Sequence, residues 1–239
     1  MLMKPIFGHD PARIILAFGL FFGPFILLIS TVASPTARNL TLLCSILSSG
    51  LYALMLYLTR GTWLPRLAKH PLRNPILFGS LNAAIVEIIF WAWERLLGAS
   101  GVAASSNLAF DLLFTMPWYI GMVVLFVRAQ DRRRFSTAAV LLLGGLYELG
   151  ADGFLGGMIF GGGLLNWGAW ILLALAYWEF IPVYASMVLP PALLVNTRPE
   201  KEKPASPAWR DALSPWLWLI PYSVYLLLAL LAFGAYFAH

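Results

Sequence analysis

The chain is expected to be an all-α, polytopic membrane helical bundle of seven transmembrane helices in a single domain covering residues 1–239. Three observations carry that expectation. The sequence is 60% hydrophobic and 11% charged, with a mean hydropathy of +0.79, far from soluble averages. Runs of about 20 apolar residues, the length that crosses a hydrocarbon core, recur along it. Their apolarity is continuous rather than alternating, which argues against an outer-membrane barrel.

In order, the runs are 14–33, 40–58, 75–97, 107–127, 137–160, 164–194 and 215–237. Lys4 and Arg13 ahead of the first run resemble a signal peptide. That run is longer than a usual apolar signal core and "TVASPTA" is only a passable cleavage site, so it reads as a true span. The sixth run is long and is expected to end near Pro190. The connections are short and leave no room for a soluble module. "GGMIFGGG" (156–163) is a glycine-rich outer loop; it lacks the strand, lysine and Ser/Thr pattern of a phosphate cradle. "NTRPEKEKPASPAWRDA" (196–212) reads as a mobile cytoplasmic linker, dense in proline and mixed charge.

Lysine and arginine set the expected orientation. The loops after spans two, four and six hold Arg60, Arg66, Lys69, Arg73, Arg128, Arg132, Arg133, Arg134, Arg198, Lys201, Lys203 and Arg210, which is 12 of the 16 basic residues. Lys4, Arg13, Arg38 and Arg95 are assigned to the opposite side. The bias is taken to place the N-terminus outside and the C-terminus in the cytoplasm. "DRRRF" (131–135) reads as an orientation signal and an anionic-lipid contact. The net charge of +5 is then a topology signal, and no soluble basic face is left for nucleic acid.

Cys44 stands alone mid-span, which excludes an internal disulfide, a CxxC pair and a thiolate cluster. His9, His70 and His239 fall outside the spans, so haem, chlorophyll or zinc ligation by imidazole within the bilayer is not expected. Span seven has no lysine for a retinal Schiff base. No cofactor or metal is called for.

"MPWYIGMVVL" (116–125) aligns with "IPVYASMVLP" (181–190) at an offset of 65, matching Pro117 with Pro182, Tyr119 with Tyr184, Met122 with Met187 and Val123 with Val188. A duplicated hairpin plus a seventh helix would give that pattern, as in parallel-repeat transporter folds. Chance likeness in low-entropy membrane sequence is the competing account. Each proline removes an amide and crowds the carbonyl four residues back, freeing those of Leu113 and Trp178.

Six of the 11 acidic residues lie within the expected spans: Glu87, Glu94, Asp111, Glu148, Asp152 and Glu179. An ionisable group at the bilayer centre costs at least about 2.5–3.5 kcal/mol, so such groups face the interior and are functional by default. Arg95 is the basic residue available to them inside the spans, too few for a set of ion pairs. Glu87, Glu148 and Glu179 fall near mid-depth; Glu94, Asp111 and Asp152 lie nearer the outer surface. Together they suggest a polar pocket in spans three to six, open outward or sideways. Glu94 beside Arg95 can instead be an interfacial pair, Asp111 part of a polar first turn after Asn107, and Asp152 a glycine-loosened helix end. Trp91, Trp93, Trp118 and Trp178 stand close in sequence to the acids.

A carboxyl kept from water can serve as a proton donor. Acid catalysis on a lipid alkene or epoxide, with aromatic faces steadying the carbocation, is the first function such a site suits. Proton- or cation-coupled transport of a small solute is the second. Divalent metal binding ranks lower, for want of a DxxD-type pair and a basic cluster on the acidic side. A non-catalytic subunit of a larger membrane complex is also compatible.

Seven spans in about 240 residues, "VEIIFWAWE" (86–94) followed by "NLAFDLLF" (107–114), and "YWEF" (177–180) resemble the integral-membrane terpene cyclases of meroterpenoid pathways. The likeness covers chiefly spans three and four. It implies a membrane-embedded acid that starts cyclisation of an isoprenoid by protonating an epoxide or alkene, with Glu87 and Asp111 as the carried-over acids. The family's late acid has no counterpart in "PWLWLIPYSVYLLLALLAF" of span seven. Glu148, Asp152 and Glu179 rest on their placement alone. Trp91, Trp118, Trp178, Tyr119 and Tyr184 are the expected substrate-binding residues, and a membrane lipid or isoprenoid the expected partner. Oligomeric state is left open.

Overall fold

The computed structural model describes residues 10–69, 74–151, 161, 166–199 and 207–237. Its helices are α1 (Pro11–Ala33), α2 (Ala37–Leu58), α3 (Arg60–Lys69), α4 (Pro75–Leu97), α5 (Leu108–Arg133), α6 (Thr137–Ala151), α7 (Trp167–Asn196), α8 (Ala208–Ala212) and, after a 3-10 turn at Ser214–Trp218, α9 (Leu219–Phe237). No strand occurs among the described residues. Six helices are long and apolar enough to cross a membrane. The fifth expected span is present as α6, only 15 residues long, and the rest of that run, 152–160, lies outside the described residues.

The starts follow from local chemistry. Asp10, Thr36, Asn74, Asn107 and Asn166 each accept a backbone amide of the first turn that would otherwise lack a partner. Proline follows at the first position of α1 and α4, where a missing N–H is harmless. Gly98 ends α4 at φ 63°, a left-handed conformation that glycine adopts without strain.

Helix α7 is the axis of the bundle. Ile181–Val195 is buried apart from Leu193, and α1, α2, α4, α5 and α6 pack against α7. Small residues let the neighbours approach, the usual device where both lipid and protein are apolar. A Cβ on Gly23 would stand 3.2 Å from the Glu179 Cα, and one on Gly79 2.9 Å from the Met187 carbonyl oxygen. By contrast α9 is peripheral, with Ile220, Leu228 and Leu231 exposed. It is tied to α5 at the Pro117 kink. Tyr225 Oη donates to the Leu113 carbonyl (2.7 Å), Tyr222 Oη to that of Phe114 (3.1 Å) and Trp218 Nε1 to that of Pro117 (2.8 Å). The carbonyl that Pro117 frees therefore has a partner, as backbone at membrane depth requires.

Contacts between α1 and α2 show which loops share an end of the bundle. Asp10, at the start of α1, accepts the Tyr57 hydroxyl (2.5 Å) and pairs with Arg60 (3.7 Å), both at the end of α2. Two crossings return a chain to the side it left, so the start of α1 shares the end of the basic loop after α2. By chain position, every described basic residue except Arg38 and Arg95 then belongs to one end. That end also holds α3 and α8, two short helices where only loop and linker were expected. Asp211 of α8 binds Arg133 (2.5 Å) and Arg132 (3.5 Å). Arg134 donates to the carbonyls of Val195 and Pro199. "DRRRF" thus clamps the close of α7 and α8 to the bundle, and the described part of 196–212 is partly helical; 200–206 lies outside the described residues.

Candidate functional site

The opposite half of the bundle encloses a cavity of about 580 Å³. Its walls come from α1 (Leu27), α2 (Arg38, Leu42, Ile46), α4 (Val86, Glu87, Phe90), α5 (Thr115, Tyr119), α6 (Glu148) and α7 (Glu179, Phe180, Val183). The loop 101–104 between α4 and α5 completes it. The rim residues Arg38, Gly101 and Ala104 are exposed, whereas Ile46, Val86, Glu87, Tyr119, Glu148 and Val183 are buried. The cavity therefore deepens away from the loops. Below it Tyr184, Met187 and Val188 of α7 and Met122, Val123 and Phe126 of α5 pack among the most buried side chains of the core, closing it toward the basic end.

Glu87, Glu148 and Glu179 share this cavity, from three helices. Glu87 Oε1 accepts the Tyr119 hydroxyl at 2.5 Å. Behind it the Asp111 carboxyl faces that of Glu87. Glu179 is half-buried on α7 against Gly23 of α1.

The other acids hold the roof. Glu94 Oε2 accepts the amides of Val102 and Ala103 (2.7 Å each), and its Oε1 takes Arg95 (2.9 Å). Asp111 Oδ1 accepts the amides of Ala104 (2.7 Å) and Ser105 (3.3 Å). Four consecutive amides of the roof are thus fixed by two carboxylates. Asp111 does both jobs, bonding the loop with one oxygen and facing Glu87. Asp152 lies outside the described residues.

Among the aromatic residues, Tyr119 lines the cavity and Tyr184 packs behind it, ring centroids 5.9 Å apart. Trp91, Trp118 and Trp178 do not line it. Trp91 donates to the Ser106 carbonyl (3.0 Å) and braces the roof. Trp118 is buried against Tyr222, and Trp178 meets the Phe18 ring edge-on. The reason is helical geometry. Sequence neighbours project about 100° apart, so Trp178 beside Glu179, and Trp118 beside Tyr119, look elsewhere. The aromatic lining is instead Phe90, Tyr119 and Phe180. Phe90 lies three residues after Glu87, on the same face, a spacing that could have signalled it. Arg38 was not anticipated at the site; its signal was being one of two cations away from the basic end.

Among the described residues no group of three His, Cys, Asp or Glu side chains is arranged to hold a metal ion. The arrangement offers several carboxyls and a tyrosine hydroxyl on one cavity of mixed polar and apolar lining, able to give and take protons. Compared with known proteins, the chain matches no family model, no curated protein and no solved structure.

Proposed function

We propose that the chain is an integral-membrane enzyme that performs acid-initiated chemistry, such as cyclisation, on an isoprenoid-like lipid bound in this cavity. The observation that carries the reading is the meeting of Glu87, Glu148 and Glu179 on one cavity with apolar and phenyl side chains in its lining. Its volume falls in the ordinary range of small-molecule sites. A carboxyl, Glu179 or Glu87, gives its proton to an epoxide oxygen or alkene carbon of the substrate. With an epoxide the C–O bond opens as the π pair of a neighbouring alkene forms a new C–C bond. The resulting cation is steadied by Phe90 and Phe180 and loses a proton to one of the remaining carboxylates. Protons and electrons balance, the product is an isomer, and no co-reactant is consumed. The resemblance to seven-span terpene cyclases agrees with this reading and rests on the sequence.

The test is turnover in nanodiscs with farnesyl- and geranylgeranyl-substituted phenols and their terminal epoxides. Cyclised product that Glu87→Gln and Glu179→Gln abolish supports the reading; no product from any of them refutes it. Proton-coupled transport is a second reading, favoured by the absence of tryptophan from the lining. Solute uptake into proteoliposomes driven by a proton gradient, and lost in the same variants, would establish it instead.

The same reading places the basic end, with the N-terminus, in the cytoplasm and takes α6 with its continuation as a seventh crossing. The C-terminus and the cavity mouth then face outward. A thiol reagent that cannot cross the membrane should label a cysteine at Ser100 and spare one at Ser136. The duplicated hairpin belongs to the proposal too; burial of Met122, Val123, Met187 and Val188 suits it and suits shared packing demands equally.

A further inference from the structure

The acid chemistry leaves one lining residue unused. Arg38 stands exposed on the cavity rim, in the first turn of α2. Among the described residues no carboxylate lies within ion-pairing distance of it, although three carboxyls line the same cavity. Two pressures oppose a cation there. The first turn of a helix is the positive end of its dipole, and this end of the bundle holds one other cation among the described residues. Arg95, the other one, is bound to Glu94. Neither the fold nor the topology accounts for Arg38.

Resting on the acid-chemistry reading, we propose that Arg38 is the headgroup site of the cavity, binding the oxyanion of a lipid whose isoprenoid tail runs inward to the carboxyls. The depths agree. Arg38 sits at the helix start, level with the loops, where a polar head would lie. The lining then passes through Leu42, Ile46 and Phe90 to Glu87 and Glu179, an apolar path ending in acid. Guanidinium is the side chain suited to this, because its planar fork grips a carboxylate or phosphate with two donors. An anionic head held at the rim also orients the tail inward. The acid then meets the tail at a fixed depth, which sets where protonation begins.

The experiment titrates the full chain in nanodiscs of zwitterionic lipid with farnesyl phosphate, farnesol and inorganic phosphate, following bound ligand by native mass spectrometry. Farnesyl phosphate is expected to bind at least about tenfold more tightly than farnesol, the preference one charge-assisted pair confers. Arg38→Gln should erase that preference while leaving farnesol binding unchanged, and Arg38→Lys should retain part of it. Equal binding of the two lipids by the unaltered protein overturns the headgroup assignment and leaves the acid chemistry standing. An equal loss for both lipids in Arg38→Gln makes the residue structural and overturns it as well. Displacement of the lipid by inorganic phosphate alone would mean a free-anion site. Turnover in the Glu87 and Glu179 variants is read separately, so failure of the acid chemistry is distinguishable from failure of the headgroup site.

Discussion

The two ends of the bundle treat charge in opposite ways. At the basic end each described acid, Asp10, Asp131 and Asp211, is paired with arginine. Asp10 joins Arg13, Arg60 and Tyr57, Asp211 joins Arg132 and Arg133, and Arg134 caps carbonyls of α7 and the residues after it. At the cavity end the acids outnumber the cations, and they split into two kinds. Glu94 and Asp111 are bound by backbone amides, whereas Glu87, Glu148 and Glu179 look onto a cavity. Burial alone therefore does not mark a functional carboxyl. Glu94, at 2% exposure, is among the most buried acids of the chain, and its work is to hold a loop. The informative property is what a buried carboxyl faces.

The largest expected effect separates the two kinds directly. Glu179→Gln and Glu87→Gln should each lower turnover by about 100-fold or more, the usual scale of a lost general acid. Their melting temperatures in detergent should stay level or rise, since neither side chain accepts a backbone amide of the roof. A loss of activity that merely tracks a loss of folded protein would erase the distinction.

Asp111→Ala should do the reverse. It strands the amides of Ala104 and Ser105 together, and a buried group left unmet costs about 1–3 kcal/mol. A destabilisation of roughly 3 kcal/mol is expected, after relaxation of the loop, with faster amide hydrogen exchange confined to 101–105. Unchanged exchange there would show that the roof does not depend on the carboxylate.

At the basic end, Asp211→Ala should cost about 1–2 kcal/mol by chemical unfolding. Arg133 and Asp211 are largely covered, but Arg132 is well exposed and its pair is screened. Activity should be untouched, because Asp211 lies at the end remote from the cavity. Turnover falling in step with stability here would show that the two ends are mechanically coupled.

How far the sequence announces this arrangement follows the same physics. Glu87, Glu148 and Glu179 stand out because each interrupts an apolar helical run, and a helix cannot hide such a group except in the bundle interior. Glu94 and Asp111 look alike in sequence and differ in role, because their amide donors come from "VAAS" (102–105), a stretch with no chemical signature. The tryptophans misled for a geometric reason: adjacency in sequence is divergence around a helix. That the start of α1 shares an end with the basic loop after α2 was obscured by a miscount of crossings, and the Asp10–Tyr57 contact shows it. Arg38 carried a signal in its isolation from the other cations, yet without coordinates nothing placed it at a cavity.

The smallest expected effect tests how α9, the most lipid-exposed helix, stays attached. Pro117 leaves the Leu113 carbonyl without its helical donor, and Tyr225 supplies one from α9 at 2.7 Å. Tyr225→Phe should therefore cost about 1 kcal/mol or less, in keeping with hydrogen bonds between membrane helices. Pro117→Ala restores an amide at position 117, and the helix can then satisfy Leu113 itself. In that background Tyr225→Phe should cost almost nothing, so the double-mutant cycle yields a coupling equal to the single-mutant loss. Equal costs in both backgrounds would mean that the hydroxyl acts through packing on α5 rather than through the carbonyl the proline sets free. The coupling would also account for an aromatic hydroxyl facing lipid on α9: it answers a backbone vacancy made by the kink on the neighbouring helix.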